Sequence, residues 1–229
     1  ENVVIPWEIG GVPVTAIGEN AFQTTDIVSV IAPQTVTMIG EYAFANCGSL
    51  ASVLLPQATA IGANAFYFCT ALTSVSLPQV TSIGNNAFNS CCSLTSVSLP
   101  QATAIGANAF TYCTSLTSVT IPQATSIGAY AFYDCYSLAS VNLPQVTAIG
   151  DYAFHNCGSL ASVSLPQAQT IGYAAFIYCT SLASVNLPQV TSIGDYAFYD
   201  CASLTSVRMG RNAPAEATGV FADITPPPN

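Results

Sequence analysis

An isoleucine-glycine pair stands at residue 17 and returns every 22 residues, at Ile17, Ile39, Ile61, Ile83, Ile105, Ile127, Ile149, Ile171 and Ile193. An alanine-phenylalanine pair follows each one, ending at Phe22, Phe44, Phe66, Phe88, Phe110, Phe132, Phe154, Phe176 and Phe198. A unit of this size cannot bury an apolar face by itself. Nine of them in strict register must stack, each contacting only its neighbours, into a solenoid with one continuous core.

One unit shows how a rung is built. Ser93 to Pro100, SLTSVSLP, reads as a strand. Val97 and Leu99 point inward and Ser96 and Ser98 outward, by the two-residue period of extended chain. Pro100 has no N–H and ends the ladder. Gly106 to Cys113, GANAFTYC, is predicted to form a short helix or helical turn. Ala109, Phe110 and Cys113 then share its inner face, and residues 107, 108, 111 and 112 face outward.

The combined pattern LTSVSLPQATAIGANAFTYC resembles the BspA-like leucine-rich repeats, from Ile5 to about Cys201. The resemblance implies an α/β solenoid of 22-residue repeats, with a parallel β-sheet on the concave face and short helices or helical turns on the convex face. The family's usual unit is one residue longer before the Ile-Gly pair. Ala32 to Gly40 keeps that spacing and later units lack it. The expected organisation is an N-terminal cap over 1–16, the solenoid over 17–207, a degenerate C-terminal cap over 208–224 and a linker-like tail over 225–229. The family is common on surface proteins of host-associated bacteria and some parasitic protists. It therefore implies a cell-surface or secreted protein whose partners are proteins or glycans on host or neighbouring cells.

Charge narrows the function. Only 6% of residues are charged and the net charge is −9. There is no lysine, and the two arginines are Arg208 and Arg211. Phosphate binding needs clustered Lys and Arg, so nucleic acid is not an expected partner. No apolar run approaches the ~18 residues of a membrane span, and direct membrane insertion is not expected. No signal-peptide pattern follows Glu1, and the closing TPPPN reads as a linker, so the chain is read as a fragment of a longer protein.

Columns that vary between copies lie around the Ala-Phe segment, and all eleven tyrosines fall in them. The candidate ligand-binding residues are Tyr67, Tyr112, Tyr130, Tyr133, Tyr136, Tyr152, His155, Tyr173, Tyr178, Tyr196 and Tyr199. Tyr, Asn, Asp, Ser and Gly are also the vocabulary of antibody loops, where rigid aromatic area is combined with adaptable polar groups. An alternative reading is ice binding, or a purely structural role, through the registered Ser/Thr rows of the strands.

Catalysis is not expected. His155 is the only histidine and stands in a variable column, whereas acid-base machinery needs a fixed one. Cys47, Cys69, Cys91, Cys113, Cys135, Cys157, Cys179 and Cys201 form one column, with Cys92 outside it. A 22-residue spacing matches no metal motif. No metal and no cofactor is implied. The column is expected to hold buried free thiols acting as small hydrophobes.

Overall fold

A computed structural model of the chain describes residues 1–211 and Val220. Each rung carries two parallel strands. One is the Ser-Val-x strand, such as Ser96–Ser98, paired in register with Ser118–Thr120. These strands form runs of four, three and three. The other is a two-residue strand ending at the repeated isoleucine. It builds a continuous nine-stranded sheet from Ala16–Ile17 to Ser192–Ile193. Val97 is buried while Ser96 and Ser98 are exposed, so the alternation read in the sequence holds.

The core is a stack of identical shapes. The nine phenylalanine rings lie face to face, with centroids 5.0–5.3 Å apart and planes within 12°. Gly106 stands so close to the rung before it that a Cβ there would lie 2.7 Å from the Gly84 carbonyl carbon. Only glycine fits, which is why the column does not vary. The eight cysteines of the column are buried and free. Each thiol donates to a phenylalanine carbonyl of the preceding rung, at 2.9–3.2 Å, as Cys113 does to Phe88. The column is thus more than a row of small hydrophobes, because it satisfies a buried acceptor in every rung. Burial pushes the thiols of Cys69, Cys91, Cys113, Cys135, Cys157 and Cys179 well above the ordinary range, and that of Cys201 to about 12. The glutamine column is different. Gln79, Gln101 and Gln123 are exposed, and nothing in the structure explains their constancy.

The expected helices are not there. Among the described residues the fold contains no helix, and Gly106 to Cys113 is a chain of turns. Ala109, Thr111 and Cys113 donate three residues back, to Gly106, Asn108 and Phe110, at 3.1–3.3 Å. The alternate amides of Asn108, Phe110 and Tyr112 donate to Ala129, Ala131 and Tyr133 of the next rung, at 2.8–2.9 Å. A helix would spend those amides on carbonyls four residues back. Here neighbouring rungs take them, and the backbone accommodates this by entering the left-handed region twice per rung. Asn108 has φ +55° and Tyr112 +59°. A second correction follows. Residue 111 does not face outward. Thr111 is buried, with its hydroxyl donating to the Tyr130 carbonyl at 2.6 Å.

At the N-terminal end, Asn2–Val4 pairs with Ser29–Ile31 and continues the parallel sheet. Glu8–Ile9 and Val12–Pro13 form an antiparallel hairpin. Its turn is Gly10 (φ +60°) and Gly11 (φ +83°), both in the region a tight hairpin requires. Trp7 is largely exposed. Of the expected C-terminal cap and tail, residues 212–219 and 221–229 lie outside the described residues. Arg208 and Met209 extend the last strand, Ser206–Met209, and the Val220 carbonyl accepts from the Phe198 amide at 3.0 Å.

Candidate functional site

The two left-handed positions of each rung set where its outward side chains go. The first is occupied by Asn20, Tyr42, Asn64, Asn86, Asn108, Tyr130, Tyr152, Ala174 and Tyr196, all at φ +50° to +59°. The second holds Thr24, Asn46, Phe68, Ser90, Tyr112, Asp134, Asn156, Tyr178 and Asp200, at φ +52° to +62°. Asn and Asp tolerate this conformation because their short polar side chains bond locally. Tyrosine has no such excuse, yet it takes six of the eighteen places.

The outward rings meet across rungs. Tyr130 stacks on Tyr152 at 5.0 Å and Tyr133 on His155 at 4.1 Å. Tyr133 also contacts Tyr112 and Tyr130. Tyr152 and His155 touch each other, and reach Tyr173 and Tyr178 respectively. Tyr196 closes the far end on Tyr173 and Tyr199, and Tyr199 meets Tyr178. Nine of the eleven candidates therefore form one connected aromatic surface. The other two stand apart. Tyr67 packs on Phe68 at 5.2 Å. Tyr136 is 44% exposed, beside the Asp134 carboxylate but outside the ring network. Tyr112, Tyr130, Tyr173 and Tyr178 remain 37–44% exposed, so their faces and edges are open to a partner.

Sequence reasoning passed over two residues, one beside Tyr67 and one inside the connected surface. Phe68 is an exposed aromatic in the second left-handed column, the same column as Tyr112, and that shared position was the signal. Asp134 is nearly buried and fastens the centre. Its Oδ1 accepts from Asn156 Nδ2 at 3.0 Å and lies 3.3 Å from His155 Nδ1. Burial among the rings lowers the His155 pKa, against the raising influence of Asp134. The imidazole is therefore neutral at physiological pH, an aromatic plate rather than a cation. Desolvation, reinforced by the Asp134 charge, raises the Tyr133 phenol. The Tyr152 phenol is raised by desolvation and by its hydrogen bond to Tyr173. The surface thus presents ring faces and phenol hydroxyls beside the carboxylates of Asp151 and Asp195, groups suited to binding.

The strand face is plainer. Rows of Ser, Thr and Asn line it, with a trough of about 420 Å³ at one end among Ser29, Ile31, Ser52, Leu54 and Ser76. A second trough of about 380 Å³ lies at the other end, among Ser162, Ser164, Ser184, Asn186 and Arg208. Among the described residues no three His, Cys, Asp or Glu side chains gather as a metal site needs. No described helix is long and apolar enough to cross a membrane.

Comparison with known proteins places this architecture. Residues 15–124 and 103–224 match the BspA type leucine rich repeat region, in six copies. A leucine rich cell surface protein from Faecalibacterium prausnitzii is similar in structure, with 30% identity and a TM-score of 0.69, over 96% of this chain and 72% of that one. A leucine rich repeat protein of T. pallidum matches with 34% identity and a TM-score of 0.67, over 69% of this chain and 77% of that one. A leucine-rich repeat protein from Bacteroides ovatus matches with 28% identity and a TM-score of 0.61, over 85% of this chain and 64% of that one. No curated protein matches the sequence. The repeat, the two parallel strands of each rung and these matches agree that the chain belongs to the BspA-type leucine-rich repeat family.

Proposed function

We propose that the chain is a non-enzymatic recognition module of a cell-surface or secreted protein, and that its ligand docks on the aromatic surface of the turn face. The partners are proteins or glycans on host or neighbouring cells. The surface location is supported by the F. prausnitzii relative, which is described as a cell surface protein.

One observation carries the choice of face: tyrosine repeatedly occupies left-handed backbone. A bulky side chain there costs about 1–2 kcal/mol. Copies with Asn64, Asn86 and Asn108 meet the same backbone need with a better-suited residue. Ring contacts between rungs return about 0.5–1.5 kcal/mol each. Up to three such contacts per ring offset the backbone cost, so these columns tolerate tyrosine, and Tyr112, Tyr130, Tyr173 and Tyr178 still leave 37–44% of their area open to a partner. Aromatic anchors are also what dominates interface energy. The strand face lacks such anchors. Its hydroxyl rows also suit ice poorly, because they are broken by Ile31 and Leu54 at one end and Arg208 at the other.

The test is binding to an array of extracellular-matrix proteins, mucosal proteins and glycans. One variant replaces Tyr133 by Ala and Tyr152 and Tyr178 by Asn. Another replaces Ser96, Ser118 and Ser140 by Gln. Both are first shown to be folded by circular dichroism. Loss of binding in the tyrosine set alone is expected. Loss in the serine set alone would move the site to the strand face and end the proposal.

A further inference from the structure

We infer that the aromatic surface takes an extended, arginine-bearing polypeptide segment. This rests on the turn face being the binding face, and it deepens that reading by naming the ligand chemistry.

The observation is where the charges are. From Ile105 to Thr205 the chain holds four carboxylates, Asp134, Asp151, Asp195 and Asp200, and neither Lys nor Arg. All four lie on the turn face. Asp134 and Asp200 occupy the second left-handed column. Asp151 and Asp195 stand directly before Tyr152 and Tyr196. The Ser-Val-x strands of the same rungs offer only hydroxyls and amides outward. The acidic half of this stretch and its aromatic half are thus one surface.

Both components attract the same kind of group. A tyrosine face carries the negative end of the ring quadrupole and draws a cation placed over it. A guanidinium does this while its fork bonds a carboxylate, which an ammonium matches poorly. Asp151 is positioned for the pairing. Its Oδ1 accepts from the Tyr173 amide at 2.8 Å, which anchors an exposed carboxylate beside the ring column. Asp134, nearly buried and engaged by Asn156 and His155, contributes field rather than contact. His155 is neutral and does not repel a cation. The spacing also fits. Asp151 and Asp195 share a column two rungs apart, about 10 Å at ~5 Å per rung. Three residues of extended chain in the polyproline II conformation span about 9 Å and return the side chain to the same face. A segment with arginines three residues apart would therefore meet both carboxylate-and-ring stations, Asp151 and Asp195, as it runs along the solenoid axis. Sulfated or sialylated glycans meet only like charge on this face.

The experiment uses the full chain and labelled peptides read by fluorescence anisotropy at low and physiological salt. The probes are a peptide with arginine at every third position, its lysine and glutamate counterparts, and a neutral oligosaccharide. The arginine peptide should bind, weakening as salt rises. The lysine peptide should bind at least about fivefold more weakly, and the other two should not bind. Asp151→Asn with Asp195→Asn and Asp200→Asn should lose at least about tenfold, as should Tyr130→Asn with Tyr152→Asn. A control changes three acids off that column, Glu1→Gln, Glu8→Gln and Asp26→Asn, and should change nothing. Equal loss in the control would show attraction by net charge alone and overturn the inference. Tyrosine-dependent binding of the oligosaccharide without the arginine peptide would also overturn it, while leaving the turn face as the binding face. Binding of any probe that no tyrosine change affects would remove both.

Discussion

Replacing Asn108 by alanine and, separately, by glycine reads the local backbone directly. In a helix interior glycine is about 1 kcal/mol worse than alanine, because it has more freedom to lose. Asn108 has φ +55°, where the preference reverses. Alanine there meets the Cβ clash of left-handed backbone, about 1–2 kcal/mol, and glycine does not. The extra freedom of unfolded glycine returns about 0.4–1 kcal/mol of that difference. The net expectation is that Asn108→Gly stays within about 0.5 kcal/mol of the parent, and that Asn108→Ala falls about 1 kcal/mol below it. For a chain of this size that is a drop of about 2–4 °C in Tm. Both variants keep the Asn108 amide bonded to the Ala129 carbonyl, so that bond cancels in the comparison. Thermal and urea unfolding followed by circular dichroism measure the order. An alanine variant as stable as the glycine variant would mean that Gly106 to Cys113 is helical, and would refute the account of alternate amides given to the next rung.

Three further outcomes follow from the core and the site. Phe110→Ala removes a ring stacked at 5.3 Å on both sides and should cost about 3–5 kcal/mol in urea unfolding; a loss under about 1 kcal/mol would mean the ladder is not packed as described. A thiol reagent at mildly alkaline pH should modify the native protein only at half-buried Cys92, and the eight column thiols only after denaturation, because burial covers all eight. Several fast-reacting equivalents in the native protein would contradict this. The folded state holds the His155 pKa below its unfolded value near ~6.5, so the unfolded chain binds the proton first as pH falls. Stability that is complete above that value should decline below it, and a His155→Asn protein should lose this component; identical pH profiles for the two proteins would sink the assignment.

Much of the fold was legible because a solenoid repeats its constraints. A glycine returning in every rung, as Gly84 and Gly106 do, marks close backbone approach, and a phenylalanine in every rung marks a stack. The spacing of Ala109, Phe110 and Cys113 suggests a short helix or helical turn, and the structure has turns without a helix. What decides otherwise is hydrogen bonding between rungs, which one unit read alone does not reveal. A cue existed in Asn64, Asn86 and Asn108 at one position of successive copies, since asparagine is the usual non-glycine occupant of left-handed backbone. The same spacing places Thr111 outward, and it is buried. The aromatic columns of the site were readable as variation against a fixed background. The Asp134–His155 contact was not, because it joins residues 21 apart on a diagonal that only the stacked rungs define.

The amides that Asn108, Phe110 and Tyr112 give to Ala129, Ala131 and Tyr133 are met again, residue for residue, in the rungs before and after. A whole unit can therefore be copied in or cut out by recombination, and each new junction inherits the same donors, acceptors and glycine contact. What changes is which outward side chains become neighbours. Excising the unit from Ile149 to Thr170, for instance, would bring Tyr130 beside Ala174 in place of Tyr152 and leave the scaffold bonds with equivalent partners. Gene-level shuffling of such a chain can redraw its outer surface in one step without passing through an unfolded ancestor.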